Sequence, residues 1–180
     1  MSKNYRAELV GAFGNPIDEN PTGVMEEAAF AAKGLNFRYL TVKVEKDDLE
    51  AAMNGVKAFQ MKGINLTIPH KVNVLKYLDE LSEAAQIIGA VNMVVNRDGK
   101  LWGENTDGKG FLISLKNEGV SVEDKRIVIL GAGGAAKAIG VECALAGAKK
   151  ITIVNRNKER GEALANLIAE KTKAASAYVG

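Results

Sequence analysis

Three short stretches of this chain place chemistry-bearing side chains just after apolar segments. Gly63-Ile-Asn-Leu-Thr-Ile-Pro-His-Lys71 runs from β-branched residues into Thr67, Pro69 and Lys71. Ala90-Val-Asn92 and Gly103-Glu-Asn-Thr-Asp107-Gly108 repeat the pattern with an amide and a carboxylate. A lysine, an amide and a carboxylate converging on strand ends would grip a small polyhydroxylated molecule and move a proton to or from one of its oxygens. Lys71 can carry that proton if its pKa is lowered. An aspartate beside it favours the charged lysine, so the pair acts either as acid–base machinery or mainly by binding and polarising the substrate. The bland alternative is that these are ordinary solvated residues at strand ends.

The elements that must position them follow from periodicity and breakers. Pro69 fixes its own φ and cannot donate to a ladder, so a strand over 63–68 stops before it, and Val72 to Leu78 follows as a short helix. Upstream, residues 6–13 form a first strand closed by Gly14-Asn-Pro16, and Val24 to Lys33 a helix ended by Gly34. Phe37 to Val44 alternates as a strand, and Asp47 to Met53 resumes helix. A helix from Ser82 to Ile88 ends at Gly89. Val91–Val95 and Lys100–Trp102 flank Asn96-Arg-Asp-Gly99, whose Asp-Gly step predicts a hairpin. The order βαβαβ plus hairpin predicts a mixed sheet. Asp107 is expected to cap a helix over Gly108–Lys116.

The character then changes. Arg126-Ile-Val-Ile-Leu130 reads as a strand buried on both faces. It leads into Gly131-Ala132-Gly133-Gly134-Ala135-Ala136 and an alanine-rich helix ending near Gly147. Gly131-x-Gly133-x-x-Ala136 is the dinucleotide fingerprint in its required context, strand before and helix after. Its glycines allow a tight turn and close approach of a pyrophosphate, which the helix N-terminus then receives. Lys150–Val154 is a second strand, Lys158–Lys171 a second helix, and Ala177–Gly180 starts a third strand. After the second strand stand Asn155, Arg156, Asn157 and, one turn on, Arg160, where an NAD-type site would carry a carboxylate. Two guanidiniums and no carboxylate suit the 2′-phosphate of NADP. One charge-assisted bond is worth about 1.5–3 kcal/mol, roughly tenfold to a hundredfold in preference.

Composition narrows the remaining classes. The chain has 180 residues, 47% hydrophobic and 26% charged, enough to build a core. Twenty-four basic residues against 22 acidic ones give a net charge of +2 and no reason to invoke nucleic acid. No segment is long and apolar enough for a membrane span, and Met1-Ser-Lys-Asn-Tyr-Arg leads straight into an expected strand, so a secretory leader is not expected. A cytoplasmic enzyme is expected. The single cysteine, Cys143, excludes an internal disulfide and reads as a small buried hydrophobe, and His70, the single histidine, makes a metal site unexpected.

Asn65-Leu-Thr-Ile-Pro-His-Lys71, Gly89-Ala-Val-Asn92, Gly103-Glu-Asn-Thr-Asp107-Gly108 and the Gly131–Ala136 loop followed by Asn155-Arg156 together resemble the shikimate dehydrogenases, in order and along the whole chain. That family reduces 3-dehydroshikimate to shikimate with NADPH and serves aromatic amino acid biosynthesis. The resemblance implies an N-terminal α/β substrate domain of βαβαβ type with a mixed sheet (residues 1–105), followed by the start of a Rossmann-type NADP domain (106–180). It implies Lys71 and Asp107 as the catalytic pair. Asn20, Thr22, Thr67, Lys71, Asn92 and Asp107 would bind the substrate. Gly131, Ala132, Gly133, Gly134, Ala135, Ala136, Asn155, Arg156 and Arg160 would bind NADP. The expected partner is a shikimate-like ring acid, and a homodimer is compatible with the reading.

Three departures from the family pattern matter. The loop that usually reads Pro-Ile-x-His-Ser-x-Ser-Pro-x-x-His-Asn is here Pro16-Ile-Asp-Glu19-Asn20-Pro-Thr22-Gly-Val-Met-Glu26-Glu27. Asn20 and Thr22 still donate hydrogen bonds where serines usually stand, but Glu19, Glu26 and Glu27 add negative charge, which disfavours a carboxylate if it points into the pocket. A related polyol acid or ketone is then the alternative substrate. Lys109 and Asn157 replace smaller or threonine residues. Family members also continue for roughly another hundred residues, so the chain reads as a truncated form, with a non-catalytic ligand- or nucleotide-binding module as the competing function.

Overall fold

A computed structural model describes residues 5–180; the reading of Met1 to Asn4 lies outside them. The chain divides into two compact units. The first runs to Ser82 and includes Gly89–Glu104; the second takes Glu83–Ile88 and Asn105–Gly180.

In the first unit the strands are β1 (Glu8–Gly14), β2 (Phe37–Lys43), β3 (Gly63–Leu66), β4 (Glu80–Leu81), β5 (Met93–Arg97) and β6 (Lys100–Glu104). They form one six-stranded sheet in the order β2-β1-β3-β5-β6-β4. The β1 pairs with β2 and β3 are parallel, β3–β5–β6 is antiparallel, and β4 joins β6 in parallel, so the sheet is mixed as expected. Helices α1 (Thr22–Lys33), α2 (Leu49–Ala58) and α3 (His70–Asn73) connect them. The core is apolar and fully enclosed, with Val56, Val74, Val91, Val94 and Leu101 all at 0% exposure. The predicted hairpin turn is present: Asp98 and Gly99 have φ of 53° and 91°, and Asn96 Oδ1 accepts the Gly99 N–H at 2.8 Å.

Some boundaries move for local reasons. The helix after Pro69 begins at His70 and gives way to a 3₁₀ turn over Val74–Tyr77. β4 was not expected, because two residues carry no periodicity. β5 starts at Met93, since the Val91 N–H bonds to the Lys71 carbonyl instead of a ladder partner.

In the second unit β7 (Arg126–Leu130), β8 (Lys150–Val154) and β9 (Ala175–Val179) make a parallel three-stranded sheet in sequence order. This is the Rossmann-type βαβ arrangement, with α6 (Gly134–Leu145) and α7 (Lys158–Lys171) as crossovers; α4 (Glu83–Ile88) and α5 (Asp107–Asn117) pack in the same unit. Ile151, Ile153 and Ile168 are fully buried, and so is Cys143, whose thiol is pushed up to about 11 by burial and the Glu142 charge. One expectation fails here. β7 is not buried on both faces: Val128 and Leu130 are 63% and 82% exposed. β7 is the outer strand of this sheet, and α6 covers only the opposite side, where Ile129 lies against the Gly140 position. Among the described residues, no helix is long and apolar enough to cross a membrane.

Candidate functional site

The first unit draws Thr67, Lys71 and Asn92 to one end of its sheet through backbone hydrogen bonds. The Thr67 N–H donates to the Phe13 carbonyl at 3.1 Å, and the Leu66 N–H to the Asn92 carbonyl at 2.8 Å. The Asn92 N–H reaches the Glu104 carbonyl at 3.1 Å, and the Val91 N–H reaches the Lys71 carbonyl at 2.7 Å. Thr67 is tied to the end of β1 and Asn92 to the ends of β3 and β6, while Lys71 stands on α3 with its carbonyl tied to Val91 just before β5. His70 reinforces the turn between them. It is wholly buried, its N–H bonds the Thr67 carbonyl at 2.9 Å, and its Nε2 donates to the Val44 carbonyl at 2.9 Å. That bond fixes the ring tautomer and the start of α3, which carries Lys71.

The loop after β1 lies beside this end. Gly14 approaches Thr67 so closely that a Cβ there would stand 2.2 Å from Thr67 Cγ2, and the Asn15 N–H donates to the Ile68 carbonyl at 2.8 Å. Ile17 is buried and anchors the loop, and the Asn20 N–H closes a turn onto its carbonyl at 3.0 Å. The turn leaves Asp18 and Glu19 exposed. Asn20 Oδ1 accepts the Thr22 N–H at 2.9 Å at the start of α1, so the Asn20 amide group remains as donor. Pro16, Ile17, Asp18, Glu19, Asn20 and Thr67 line a cavity of about 490 Å³.

The other acidic substitutions go elsewhere. Glu27 Oε1 accepts the Tyr39 N–H at 2.6 Å. Burial, with the Glu26 charge adding to it, pushes the Tyr39 phenol up to about 12. That phenol donates to Asn65 Oδ1 at 3.0 Å, and Glu26, Tyr39 and Asn65 help line a separate cavity of about 300 Å³. Tyr39 and Asn65 were not singled out by sequence reasoning as site residues. Asn65 lay inside the motif, two residues before Thr67, and strand alternation was the signal that could have paired them.

The second unit carries Asp107 and the glycine-rich loop. Asp107 is the first residue of α5 and does not cap it; Asn105 Oδ1 accepts the Asp107 N–H at 3.2 Å instead. The next residue, Gly108, packs tightly: a Cβ there would stand 2.5 Å from the Ala138 carbonyl oxygen of α6. Gly131 has φ of 114°, which favours glycine, and its N–H donates to the Val154 carbonyl at 2.8 Å. At Gly131, Gly133 and Gly134 an added Cβ would meet nothing within 4 Å. Ala132, Gly133, Asn155, Arg156, Asn157 and Arg160 line a cavity of about 470 Å³. Ala135 is exposed and Ala136 half-buried on the first turn of α6. Asn157 serves the local structure, because its Oδ1 caps α7 by accepting the Arg160 N–H at 2.8 Å. Asn155 Nδ2 in turn donates to the Asn157 carbonyl at 2.7 Å.

Two family models match this chain. Residues 12–94 match the shikimate dehydrogenase substrate binding domain, and residues 114–178 match shikimate / quinate 5-dehydrogenase.

The chain belongs to the shikimate dehydrogenase family.

A shikimate dehydrogenase (NADP(+)) of Alkaliphilus oremlandii is 47% identical over 161 residues, 89% of this chain and 56% of that protein. The ligand-free 5-ketofructose reductase of a Gluconobacter strain is 51% identical with a TM-score of 0.94, over 97% of this chain and 63% of that one. Shikimate 5-dehydrogenase from Listeria monocytogenes, solved with shikimate and NAD, is 38% identical at a TM-score of 0.94, over 99% and 64%. The chain thus spans between a little over half and a little under two-thirds of the length of these relatives.

Proposed function

We propose that the protein is an NADP(H)-dependent oxidoreductase of the shikimate dehydrogenase type, interconverting a ketone and a secondary alcohol on a small polyhydroxylated molecule. The 3-dehydroshikimate/shikimate pair is the reading that the curated relatives support by name; a 5-ketofructose-like ketone is the one supported by the Gluconobacter reductase. Residues 1–105 supply the substrate half and residues 106–180 the cofactor half.

The open cradle over Gly131, Gly133 and Gly134 suits a pyrophosphate, because the bare backbone leaves room where side chains would stand. Arg156 and Arg160, both lining the neighbouring cavity, suit a 2′-phosphate, with Asn155 beside them. Bound NADPH supplies the hydride. Lys71 supplies the proton that the ketone oxygen takes up, and accepts the hydroxyl proton in alcohol oxidation. Thr67 and Asn92 hold ring or chain hydroxyls. Asp107 carries a carboxylate suited to binding a hydroxyl. The observation that supports this reading is the backbone network that ties Thr67, Asn92 and the start of α3, with Lys71, to one end of the first sheet.

Lys71→Ala tests it. Turnover should fall by about 10²–10⁴ while NADP affinity, by calorimetry, stays unchanged. An equal loss of cofactor binding would make Lys71 a structural residue and sink the assignment.

A further inference from the structure

The loop after β1 bounds the substrate end of the first unit, and its chemistry sets what that end accepts. The lining of the cavity there, Pro16, Ile17, Asp18, Glu19, Asn20 and Thr67, contains two carboxylates and no cation. We infer that this end of the site takes an uncharged, hydroxyl-bearing group in preference to a carboxylate, so that the substrate is a neutral polyhydroxylated ketone. The inference rests on the site proposed above and narrows its substrate class.

Donor and acceptor inventory points the same way as charge. A ligand carboxylate only accepts hydrogen bonds, and it would stand among the Asp18 and Glu19 oxygens, which only accept as well. A hydroxyl both donates and accepts. It can give its proton to Asp18 or Glu19 and receive one from the Asn20 amide, whose own oxygen is already taken by the Thr22 N–H. Thr67 serves either role. Lys71 does not line this cavity and is committed to the reacting oxygen, so it does not offset the two charges. Glu26 and Glu27 take no part, since Glu27 is bonded to the Tyr39 backbone and Glu26 lines the cavity beside Tyr39.

The geometry of the turn makes the placement of the two carboxylates a property of the fold. Ile17 is 5% exposed and Asn20 closes onto its carbonyl, so the two residues between them occupy the turn tip. Both are exposed, and both stand in the cavity lining. Changing them to their amides removes charge without touching the core.

The experiment is a set of titrations of the NADP⁺-loaded protein with three probes: shikimate, its neutral amide, and 5-ketofructose. The amide differs from shikimate only in the group at issue. At least one neutral probe should bind about tenfold or more tightly than shikimate, a modest expectation for two like charges a few ångströms from an anion. In the double variant D18N/E19Q that gap should shrink by about tenfold, with NADP⁺ affinity unchanged as the check on folding. Shikimate binding as tightly as both neutral probes overturns the inference and leaves the site itself standing. A gap that persists unchanged in D18N/E19Q overturns the assignment to this loop. Binding of none of the three overturns the proposed site, and the inference with it.

Discussion

The two units solve the same problem, presenting polar groups at strand ends, in opposite ways. In the first, the groups belong to a sheet of six strands with a sealed core, and the candidate residues are tied down by main-chain bonds. In the second, three strands carry a loop of bare backbone and two exposed arginines, and the outer strand leaves apolar side chains uncovered. The first unit resists change because its contacts are close. The second tolerates change in its loop, because space there is kept for a ligand rather than for the protein's own atoms. Stability and ligand affinity should therefore separate by unit when residues are substituted.

The largest separation is expected at the end of β8. Arg156→Glu, or Arg160→Glu, removes a guanidinium and adds a repelling carboxylate. The preference for NADP over NAD should fall by roughly tenfold to a hundredfold, as one charge-assisted bond is worth about 1.5–3 kcal/mol. Both side chains are exposed, so the unfolding midpoint should hardly move. Parallel calorimetric titrations with the two cofactors read the effect. An equal loss for NADP and NAD would mean that the arginines hold the common part of the dinucleotide and do not select the phosphate.

A pair of glycines gives the next test. At Gly11 a Cβ would stand 2.3 Å from the Leu40 carbonyl oxygen, so Gly11→Ala must push β1 and β2 apart. Overpacking of this kind costs about 1–3 kcal/mol. Gly133 has φ of −87° and ψ of −174°, which alanine adopts freely, and no neighbour lies within 4 Å of an added Cβ. Gly133→Ala should leave stability within about 0.5 kcal/mol and weaken NADP binding, because the methyl occupies the space over the backbone. Denaturant melts of both variants, with and without NADP, separate the outcomes. If Gly133→Ala destabilised the fold as much as Gly11→Ala, the loop would be packed in solution and the contrast between units would fail.

What could be read in advance follows the same contrast. The fingerprint loop was legible because its signal is local: Gly131 needs a positive φ, and a strand and a helix flank it within a few residues. The hairpin at Asp98-Gly99 was legible for the same reason. The mixed sheet came from the order of elements. β7 leaves one face exposed despite its apolar run, because such a run says what a strand would bury, whereas exposure depends on which neighbours the chain supplies. Asp107 looked like a cap by residue type, yet Asn105, equally able to accept an N–H, stood two residues earlier. The partition of the acidic residues around α1, with Glu27 bonded toward Tyr39 and Glu19 lining a cavity beside Thr67, depends on tertiary contacts between β1, β2 and β3. No single-sequence pattern contains it.

The smallest expected effect bears on the uncovered strand. Leu130 is 82% exposed, so Leu130→Gln removes little buried apolar area and should shift stability by no more than about 0.5 kcal/mol. Ile151→Ala, near the start of the neighbouring β8 and wholly buried, is the control and should cost about 2–5 kcal/mol. If Leu130→Gln cost more than about 1 kcal/mol, the β7 face would be covered in solution by protein surface beyond the three strands. The comparison of the two units would then need redrawing, since the second would have a closed core as well. A concentration-dependent midpoint would assign the cover to a second copy, by mass action. A concentration-independent one would assign it to the same polypeptide. With neither change, the apolar stripe of Val128 and Leu130 is solvent-facing, and the second unit is held together by α6 and α7 on one side of its sheet alone.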